Sequence, residues 1–304
     1  MKIVLLGPVN SEKYFGGVAV FTEELADALQ IMGHDVVIVT GYSQRDRTEK
    51  GVKIFSTTNK ATKLSSLTGL HKMLRFLKSF GPDIIIESLE YGMINLFYKG
   101  GAFKVYFLHG FPTKRMSLAR RIIIRWSQKL FCARSDSIIA NSGLTKIINE
   151  EIFGMRVDGV INPGVSDEFI RLCANVTPQN RDPIVLYVGR LVKEKGIFEI
   201  ASAIKDVQKR IPGSCLWIVG DGPEREALLN FLERNSVQYV YYGRTDSKKK
   251  LAEIYQSSRV FISLNQHEPF GIVYAEALLS GCVVVCPATG GHTDFSTKFT
   301  DRFR

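Results

Sequence analysis

The chain has 304 residues, of which 45% are apolar and 23% charged, so it can bury the cores of two ordinary domains. Its formal net charge of +10 favours anionic partners such as phosphorylated ligands or anionic lipid, whereas no zinc-finger or RNA-recognition motif supports nucleic acid as a partner. No apolar run reaches the roughly 20 residues that span a bilayer, and the opening MKIVLLGP is too short for a secretory leader, which predicts a cytoplasmic protein.

Short β-rich apolar runs alternate with helical patterns through the first half of the chain. A first strand is predicted over 2–7, and an amphipathic helix follows over 18–33, where Gly33 supplies the stop. Further strands are predicted over 35–40, 52–56, 83–88, 104–110, 137–141 and 156–162. Apolar strands separated by helices are typical of a parallel sheet that is covered on both faces.

The stretch 163–183 interrupts this pattern with prolines and polar residues, which predicts a linker over 166–183 between a domain at 1–165 and a domain at 184–304. Strands then resume over 184–190, 215–222, 238–243, 259–264 and 282–287. The predicted fold class is therefore α/β, with two Rossmann-like, doubly wound parallel-sheet domains. Because such folds bind ligands beyond the carboxyl ends of their strands, we expect a ligand cleft between the domains.

A segment with helical spacing near the end of the chain carries an isolated carboxylate. Glu276 is the only Asp, Glu, Lys or Arg between Pro269 and Thr293, and it shares a helix face with Ile272 and Leu279. Burying an unpaired carboxylate costs roughly several kcal/mol, so this side chain needs hydrogen-bond donors. A sugar or ribose diol supplies two. The alternative is a structural carboxylate bonded to backbone, or to a Tyr or Lys elsewhere.

Two loops at strand ends carry groups that suit an anionic ligand. Phe270 and Gly271 place free backbone N–H groups at a helix start, where Glu268 can accept hydrogen bonds from sugar hydroxyls. Arg190 and Lys195 follow the strand at 184–190 and can clamp a diphosphate. The alternatives are an ordinary turn before a helix and a solvated charged loop.

The first half of the chain offers two weaker candidates. Gly16 and Gly17 precede the helix at 18–33 and can lead backbone N–H groups towards an anion. His109 ends an apolar strand, where it can hydrogen-bond a sugar hydroxyl or assist a proton transfer. A histidine packed at the end of a strand is the alternative.

Taken in this order, the motifs resemble the GT-B glycosyltransferases, and among them family 4 of the retaining nucleotide-sugar enzymes. The spacing of two glutamates around an internal Phe-Gly is the most specific part of the resemblance. The matching elements are Gly16-Gly17, His109-Gly110, NPGV at 162–165, VGRLVKEKG at 188–196, GDGP at 220–223, EPFGIVYAE at 268–276 and GG at 290–291.

The resemblance implies that the first domain binds the acceptor and the second binds the sugar nucleotide. Glu276 would then bond the ribose hydroxyls. Glu268, with the backbone of Phe270 and Gly271, would orient the donor sugar.

The same resemblance gives roles to the charged loop and to the first domain. Arg190 and Lys195 would bind the diphosphate and stabilise the charge that develops as it leaves. Gly16 and Gly17 would approach that diphosphate, and His109 would contact the donor sugar near the reacting carbon. No metal or other cofactor is expected.

The implied activity is that of a hexosyltransferase. It would move a sugar, with retention, from a nucleoside-diphosphate sugar to a glycan or glycolipid acceptor in cell-surface polysaccharide biosynthesis. Two alternatives stay open: a GT-B-type epimerase or phosphorylase, and a catalytically inactive subunit that keeps the fold.

The sequence departs from the family pattern after the GG pair. Asp294 stands about where the family usually has a longer Glu, and the chain ends at residue 304. The family pattern would add a last strand and helices, so the second domain is expected to be incomplete, as in a truncated chain or one half of a split enzyme.

The segment 114–134 concentrates positive charge, with seven Lys or Arg and no acidic residue among apolar side chains. This composition predicts a basic amphipathic helix in the acceptor domain. It would dock on an anionic membrane surface, on the cytoplasmic face, where a lipid-linked acceptor would lie. The alternative is a sheet-covering helix with a solvated basic face.

Overall fold

Two mainly parallel sheets organise the chain, one in each of two units, Met1–Pro163 and Gly164–Arg304. The computed structural model describes residues 1–11, 16–41, 46–58, 69–113, 116–174, 181–245 and 247–295. The predicted α/β class with two parallel sheets is confirmed. The tail 296–304, for which neither strand nor helix is predicted, lies outside the described residues.

The sheet of the first unit has eight strands, of which seven were predicted. They are β1 (Lys2–Leu6), β2 (Asp35–Thr40), β3 (Arg47–Glu49), β4 (Val52–Ser56), β5 (Ile84–Ser88), β6 (Phe103–Leu108), β7 (Ser137–Ala140) and β8 (Gly159–Val160). Their order is β3-β4-β2-β1-β5-β6-β7-β8. Among the strands in the described ranges, β3, the unpredicted strand, is the one that runs antiparallel to its neighbour.

Helices cover both faces of this sheet. They are α1 (Gly17–Ile31), α2 (Leu70–Phe80), α3 (Leu118–Cys132) and α4 (Gly143–Ile147), with a 3-10 helix at Leu89–Leu96 and a π-helix at Ile148–Ile152. Alternate side chains of β1 show the two-sided burial: Val4 packs in the same cluster as Met73 of α2, whereas Ile3 and Leu5 pack in another with Ala26 of α1. This period of two is the geometry of a central strand.

The second unit repeats the design with five parallel strands, all of them predicted. The strands are β9 (Ile184–Val188), β10 (Cys215–Val219), β11 (Tyr239–Gly243), β12 (Val260–Ile262) and β13 (Val283–Val285). The helices are α5 (Asp167–Cys173), α6 (Ile197–Arg210), α7 (Arg225–Arg234), α8 (Lys248–Ser257) and α9 (Ile272–Leu279), with a short 3-10 helix at Lys193–Lys195.

Helix α5 lies within the segment predicted as a linker, so the second unit begins before the predicted boundary at 184. The hydroxyl of Ser166 caps this helix by accepting the Phe169 N–H at 3.4 Å. Phe169 and Cys173, one turn apart, are buried in the core of the second unit with Leu186. The prolines and polar residues around α5 suggested a linker, but this pair supplies enough apolar surface to anchor a helix.

The strand order of each sheet reverses at one place. In the second unit the order β11-β10-β9-β12-β13 places the reversal between β9 and β12; in the first unit it lies between β1 and β5. Open α/β sheets bind ligands beyond the carboxyl ends of the strands at such a switch point. Arg190 and Lys195 follow β9, Glu268 and Gly271 follow β12, and Gly16 and Gly17 follow β1, whereas His109 follows β6.

Among the described residues, no helix combines the length and apolar character needed to cross a bilayer.

Candidate active site

The residues that follow β9 and β12 meet at the switch point of the second unit. Nζ of Lys195 lies 2.5 Å from Oε2 of Glu268, and Nδ2 of Asn265 donates to the same oxygen at 2.7 Å. The side chains of Lys195 and Glu268 are 26% and 16% exposed. The structure therefore joins two predicted site residues that are 73 positions apart in the sequence.

This environment keeps Glu268 ionised. Burial by itself would raise the pKa of Glu268, but the charge of Lys195 and the hydrogen bonds from Lys195 and Asn265 outweigh it and hold the pKa below its ordinary value. Both recorded bonds reach Oε2. Within the described part of the chain, no hydrogen bond to Oε1 is recorded, so this oxygen can accept one from a ligand hydroxyl.

The turn after Glu268 starts helix α9 in a conformation that favours glycine. Gly271 caps the helix with φ 86°, in the left-handed region. Phe270 is buried, and its ring lies 5.4 Å from that of Phe295. The amide of Gly291, from the GG pair, donates to the Glu268 carbonyl at 2.8 Å, so the backbone around the carboxylate is fixed from two sides.

Glu276 is half-buried one turn into α9, and a neutral partner holds it. The hydroxyl of Tyr255, on α8, donates to Oε2 of Glu276 at 3.0 Å. Burial raises the pKa of Glu276 to about 7, against the smaller lowering effects of the Tyr255 hydrogen bond and the charge of Lys248. One oxygen of Glu276 is therefore bonded to a tyrosine of the chain itself, which was the alternative to a ligand-binding role. The other oxygen, Oε1, has no hydrogen-bond partner among the described residues.

Arg190 leaves β9 with an exposed side chain. Its backbone carbonyl accepts the Tyr187 hydroxyl at 2.9 Å, which fixes the main chain below it. No ion pair of the Arg190 guanidinium is recorded across the described ranges. A solvent-facing arginine on a fixed backbone can engage an anion bidentately.

The GDGP turn supports the Arg190 loop from the neighbouring strand. The amide of Leu191 donates to the Asp221 carbonyl at 3.0 Å. A side chain on Gly220 would collide with the Gly189 carbonyl, and one on Gly222 with that of Leu191. The glycines of this motif therefore serve close backbone packing.

In the first unit, His109 directly follows β6 and lies beside the end of β5. Its Nε2 lies 2.9 Å from the Ser88 hydroxyl, at the end of β5. Its ring contacts those of Phe21 and Phe107, with centroids 4.9 and 5.0 Å away. Burial lowers the pKa of His109 to about 3, so the imidazole is neutral at physiological pH.

Gly16 and Gly17 open helix α1, which carries Phe21 to His109. Within the described part of the chain, no heavy atom lies within 4 Å of where a side chain would project from either glycine. The carbonyl of Gly16 accepts the amides of Ala19 and Val20 at 3.0 and 3.1 Å. Positions 12–15 of this loop lie outside the described residues, and the roles predicted for Gly16, Gly17 and His109 towards a donor stay predictions.

The structure brings only some of the predicted site residues into contact. The structure joins Lys195 with Glu268, and Gly271 adjoins Glu268, but no recorded contact among the described residues links Arg190 or Glu276 to that pair. Sequence analysis missed the residues that hold the predicted ones, namely Ser88, Asn265 and Tyr255. Ser88 and Asn265 could have been noted from the sequence, because Ser88 is the last residue of one predicted strand and Asn265 directly follows another.

Groups of His, Cys, Asp and Glu that could hold a metal ion are absent from the part of the chain that the structure describes.

Comparison with known proteins identifies the family of the chain. The family model described as Glycosyltransferase Family 4 matches residues 15–169, about half of the chain, and the model described as Glycosyl transferases group 1 matches residues 173–303. A GDP-mannose-dependent alpha-mannosyltransferase of Mycolicibacterium smegmatis is 29% identical over 296 residues, which cover 88% of this chain and 75% of the relative. The alpha-monoglucosyldiacylglycerol synthase of Acholeplasma laidlawii is 23% identical, with 91% and 79% covered.

Solved structures agree on the fold. The crystal structure of Anabaena HepE in complex with UDP and glucose has a TM-score of 0.73 at 18% identity, with 97% of this chain and 83% of that chain covered. WaaG, a glycosyltransferase involved in lipopolysaccharide biosynthesis, has a TM-score of 0.69 at 15% identity, with 99% and 84% covered. The chain therefore belongs to family 4 of the glycosyltransferases and has the GT-B fold.

Proposed function

We propose that the second unit binds a nucleoside-diphosphate sugar and that the enzyme transfers its sugar, with retention of configuration, to a glycan or lipid-linked acceptor bound by the first unit. The observation that carries this proposal is the Lys195–Glu268 ion pair at the switch point between β9 and β12, with the exposed Arg190 in the same segment after β9 as Lys195. Cations next to a carboxylate that keeps a free oxygen suit a diphosphate joined to a sugar.

The diphosphate is assigned to the basic side chains of this site. Arg190 can bind phosphate oxygens bidentately, and the Lys195 ammonium keeps donors beyond the one that it gives to Glu268. Both would stabilise the charge that develops on the leaving diphosphate. We propose that these cations, with the amides at the start of α9, act without a metal ion.

The two glutamates are assigned to the sugar rings of the donor. Oε1 of Glu268 would accept a hydrogen bond from a hydroxyl of the transferred sugar, and the Gly271 amide would lie beside it. Oε1 of Glu276 would accept from the ribose hydroxyls. Hydroxyl donors stabilise an ionised carboxylate, so the bound ribose would lower the pKa of Glu276 from about 7.

Retention is proposed to proceed by attack on the same face that the diphosphate leaves. The sequence offers no nucleophile–base pair, and Glu268 already shares its Oε2 between Lys195 and Asn265. The anomeric configuration of the first-formed product, followed by NMR, tests this step. An inverted product contradicts it.

The acceptor is proposed to belong to cell-surface polysaccharide or glycolipid synthesis, with the enzyme working as a peripheral protein at the cytoplasmic face of a membrane. The Acholeplasma relative is named for a glucosyldiacylglycerol product, and WaaG is titled for lipopolysaccharide biosynthesis. The acceptors of glycolipid and lipopolysaccharide synthesis are embedded in a bilayer or lie at its surface.

A thermal-shift panel of UDP-, GDP- and ADP-sugars tests the donor class. A true donor raises the unfolding midpoint by mass action. Lys195→Ala should abolish the rise, whereas Lys209→Ala, an exposed lysine on α6 of the same unit, should keep it. The proposal fails if no sugar nucleotide raises the midpoint, or if Lys195→Ala responds like the unaltered protein.

Turnover assays with the bound sugar nucleotide separate the alternatives. Conversion of the sugar nucleotide without an acceptor indicates an epimerase, and a requirement for inorganic phosphate indicates a phosphorylase. Binding without transfer to any acceptor indicates an inactive subunit.

A further inference from the structure

Helix α3 presents large apolar side chains to solvent along one whole side. Only Phe131 and Cys132, in its last turn, are buried. The exposed side chains, with their exposed fractions, are Leu118 at 66%, Ile122 at 47%, Ile123 at 67%, Trp126 at 70% and Leu130 at 46%. The alternative considered for 114–134 was a helix with a solvated basic face, but the face that meets solvent is apolar at its centre. Lys114 and Arg115 lie outside the described residues.

The five exposed side chains form a continuous stripe. At about 100° per residue they fall within an arc of about 140°, and Phe131 and Cys132 point away from it towards the sheet. The ring of Phe131 packs 5.9 Å from that of Tyr106 on β6, which fixes the rotation of the helix. We call the five residues the apolar stripe of α3.

Basic side chains border the stripe on both sides. On the same projection, Arg125 and Arg121 lie about 20° and 60° outside the Leu118 edge, and Arg120 lies about 60° outside the Ile123 edge. Lys129 lies just inside the Leu118 edge. Arg125 is held in place by Phe153, whose ring centre lies 5.5 Å from its guanidinium. Helix α3 contains no Asp or Glu, and no ion pair of these four side chains is recorded in the described residues.

The chemistry of this surface selects its partner. A second copy would bring two identical cationic borders together, which opposes self-association. An anionic bilayer offers phosphate groups to the borders and an apolar interior to the stripe. Trp126, near the middle of the stripe, has the amphipathic ring that favours the bilayer interface.

We propose that α3 docks flat on an anionic lipid bilayer, with the apolar stripe in the interfacial region and the basic borders at the lipid phosphates. This inference deepens the proposed function, on which it rests for its purpose: it places the acceptor-binding unit on the surface that holds a lipid-linked acceptor. Binding then depends on two contributions, charge and apolar insertion, and loss of either should release the protein.

Co-sedimentation with phosphatidylcholine vesicles, with and without phosphatidylglycerol, tests the proposal on the full chain. The unaltered protein should bind only the anionic vesicles. The double variant Ile123→Ser, Trp126→Ser and the triple variant Arg120→Glu, Arg121→Glu, Arg125→Glu should each lower the partition coefficient about tenfold or more. The matched control Ile31→Ser, Met32→Ser removes two similarly exposed apolar side chains at the carboxyl end of α1 and should bind like the unaltered protein.

Tryptophan fluorescence reports insertion directly, because the chain has two tryptophans, Trp126 and Trp217. In a Trp217→Phe background, emission from Trp126 should shift to the blue with anionic vesicles and stay unchanged with neutral ones. If the Trp217→Phe variant folds poorly, vesicle co-sedimentation of the unaltered protein tests the proposal instead.

Three results would overturn the proposal: no binding to anionic vesicles, equal binding by the Ile123→Ser, Trp126→Ser variant, or a lipid-free dimer that this variant abolishes. The last result would assign the stripe to self-association. The thermal shift with sugar nucleotides belongs to the second unit and should survive in every α3 variant, so failure of membrane docking is distinguishable from failure of the proposed function.

Discussion

The loop that carries Glu268 and the helix that carries Glu276 shift the pKa values of two half-buried carboxylates in opposite directions. Burial opposes ionisation of both. At Glu268 the charge of Lys195 and the Asn265 amide overcome it, and the pKa falls below the ordinary value. At Glu276 the only hydrogen bond in the described structure comes from a neutral hydroxyl, that of Tyr255, and the pKa rises to about 7.

The difference lies in the partners: a bonded lysine and an amide at Glu268, and a neutral hydroxyl at Glu276, and it suggests different uses. Glu268 is ionised before any ligand arrives, so it can orient a sugar at constant charge. Glu276 is poised between its two states near neutral pH, so donors from a ligand can tip it to the ionised form. Carboxylates whose surroundings push their pKa values apart often have separate roles in one site.

Removing the cation should produce the largest effect. Lys195→Ala leaves Glu268 without its main partner and the diphosphate without one positive charge. We expect kcat/KM to fall about 10²–10³-fold, the range measured when one charge-stabilising group is lost. Initial rates with the donor found in the thermal-shift panel give the number, and Lys209→Ala serves as the control. A loss of less than about tenfold would remove Lys195 from the charge-stabilising role.

Isosteric neutral substitutions at the two glutamates should change stability in opposite directions. The folded-state pKa of Glu276 lies above its ordinary value of 4.5, so the unaltered protein loses stability as the pH rises from about 4.5 to 7. Glu276→Gln removes this loss, and the donor-free enzyme should gain up to about 3 kcal/mol of unfolding free energy near pH 8. Chemical denaturation of Glu276→Gln and of Glu268→Gln measures the change in unfolding free energy at each site.

Glu268 has a lowered pKa, so its ionisation contributes stability above its ordinary pKa, and that stability is lost as the pH falls through the lowered value. Glu268→Gln should therefore destabilise the protein near pH 8. If both substitutions shift stability in the same direction, the contrast between the two carboxylates is wrong.

The smallest expected effect comes from the hydroxyl that holds Glu276. Tyr255→Phe removes a hydrogen bond worth about 1 kcal/mol to the ionised form. The pKa of Glu276 should rise further, and the pH at which donor affinity is half-maximal should move up by about half to one unit. Donor affinity measured across the neutral range shows the shift. An unchanged midpoint would mean that Tyr255 supports packing alone.

Much of the fold could be predicted from the sequence, because apolar strands buried on both faces leave a strong pattern. Strand β3 escaped because Arg-Thr-Glu has no apolar side chain and pairs only at the sheet edge. Helix α5 escaped because prolines and polar residues surround it, although Ser166 before an acidic first turn is a recognisable helix start.

The candidate site was predictable as a set of residues at strand ends but not as a set of contacts. Asn265, three residues before Glu268, could have been noted as its partner. The pairs Lys195–Glu268 and Tyr255–Glu276 are 73 and 21 positions apart, and nothing in their local sequences specifies these bonds. The exposed face of α3 was also hidden, since the sequence gives the helix but not which side meets the sheet.

Counting protons by isothermal titration calorimetry tests the central claim most directly, namely that Glu276 binds the ribose of the donor as an ionised carboxylate. The donor is titrated at pH 7 in buffers with different ionisation enthalpies. With a pKa of about 7, Glu276 is half-protonated, so the unaltered protein should release about half a proton per donor bound. This release should vanish near pH 8.5 and in Glu276→Gln. The same proton count at pH 7 in both proteins would contradict the claim.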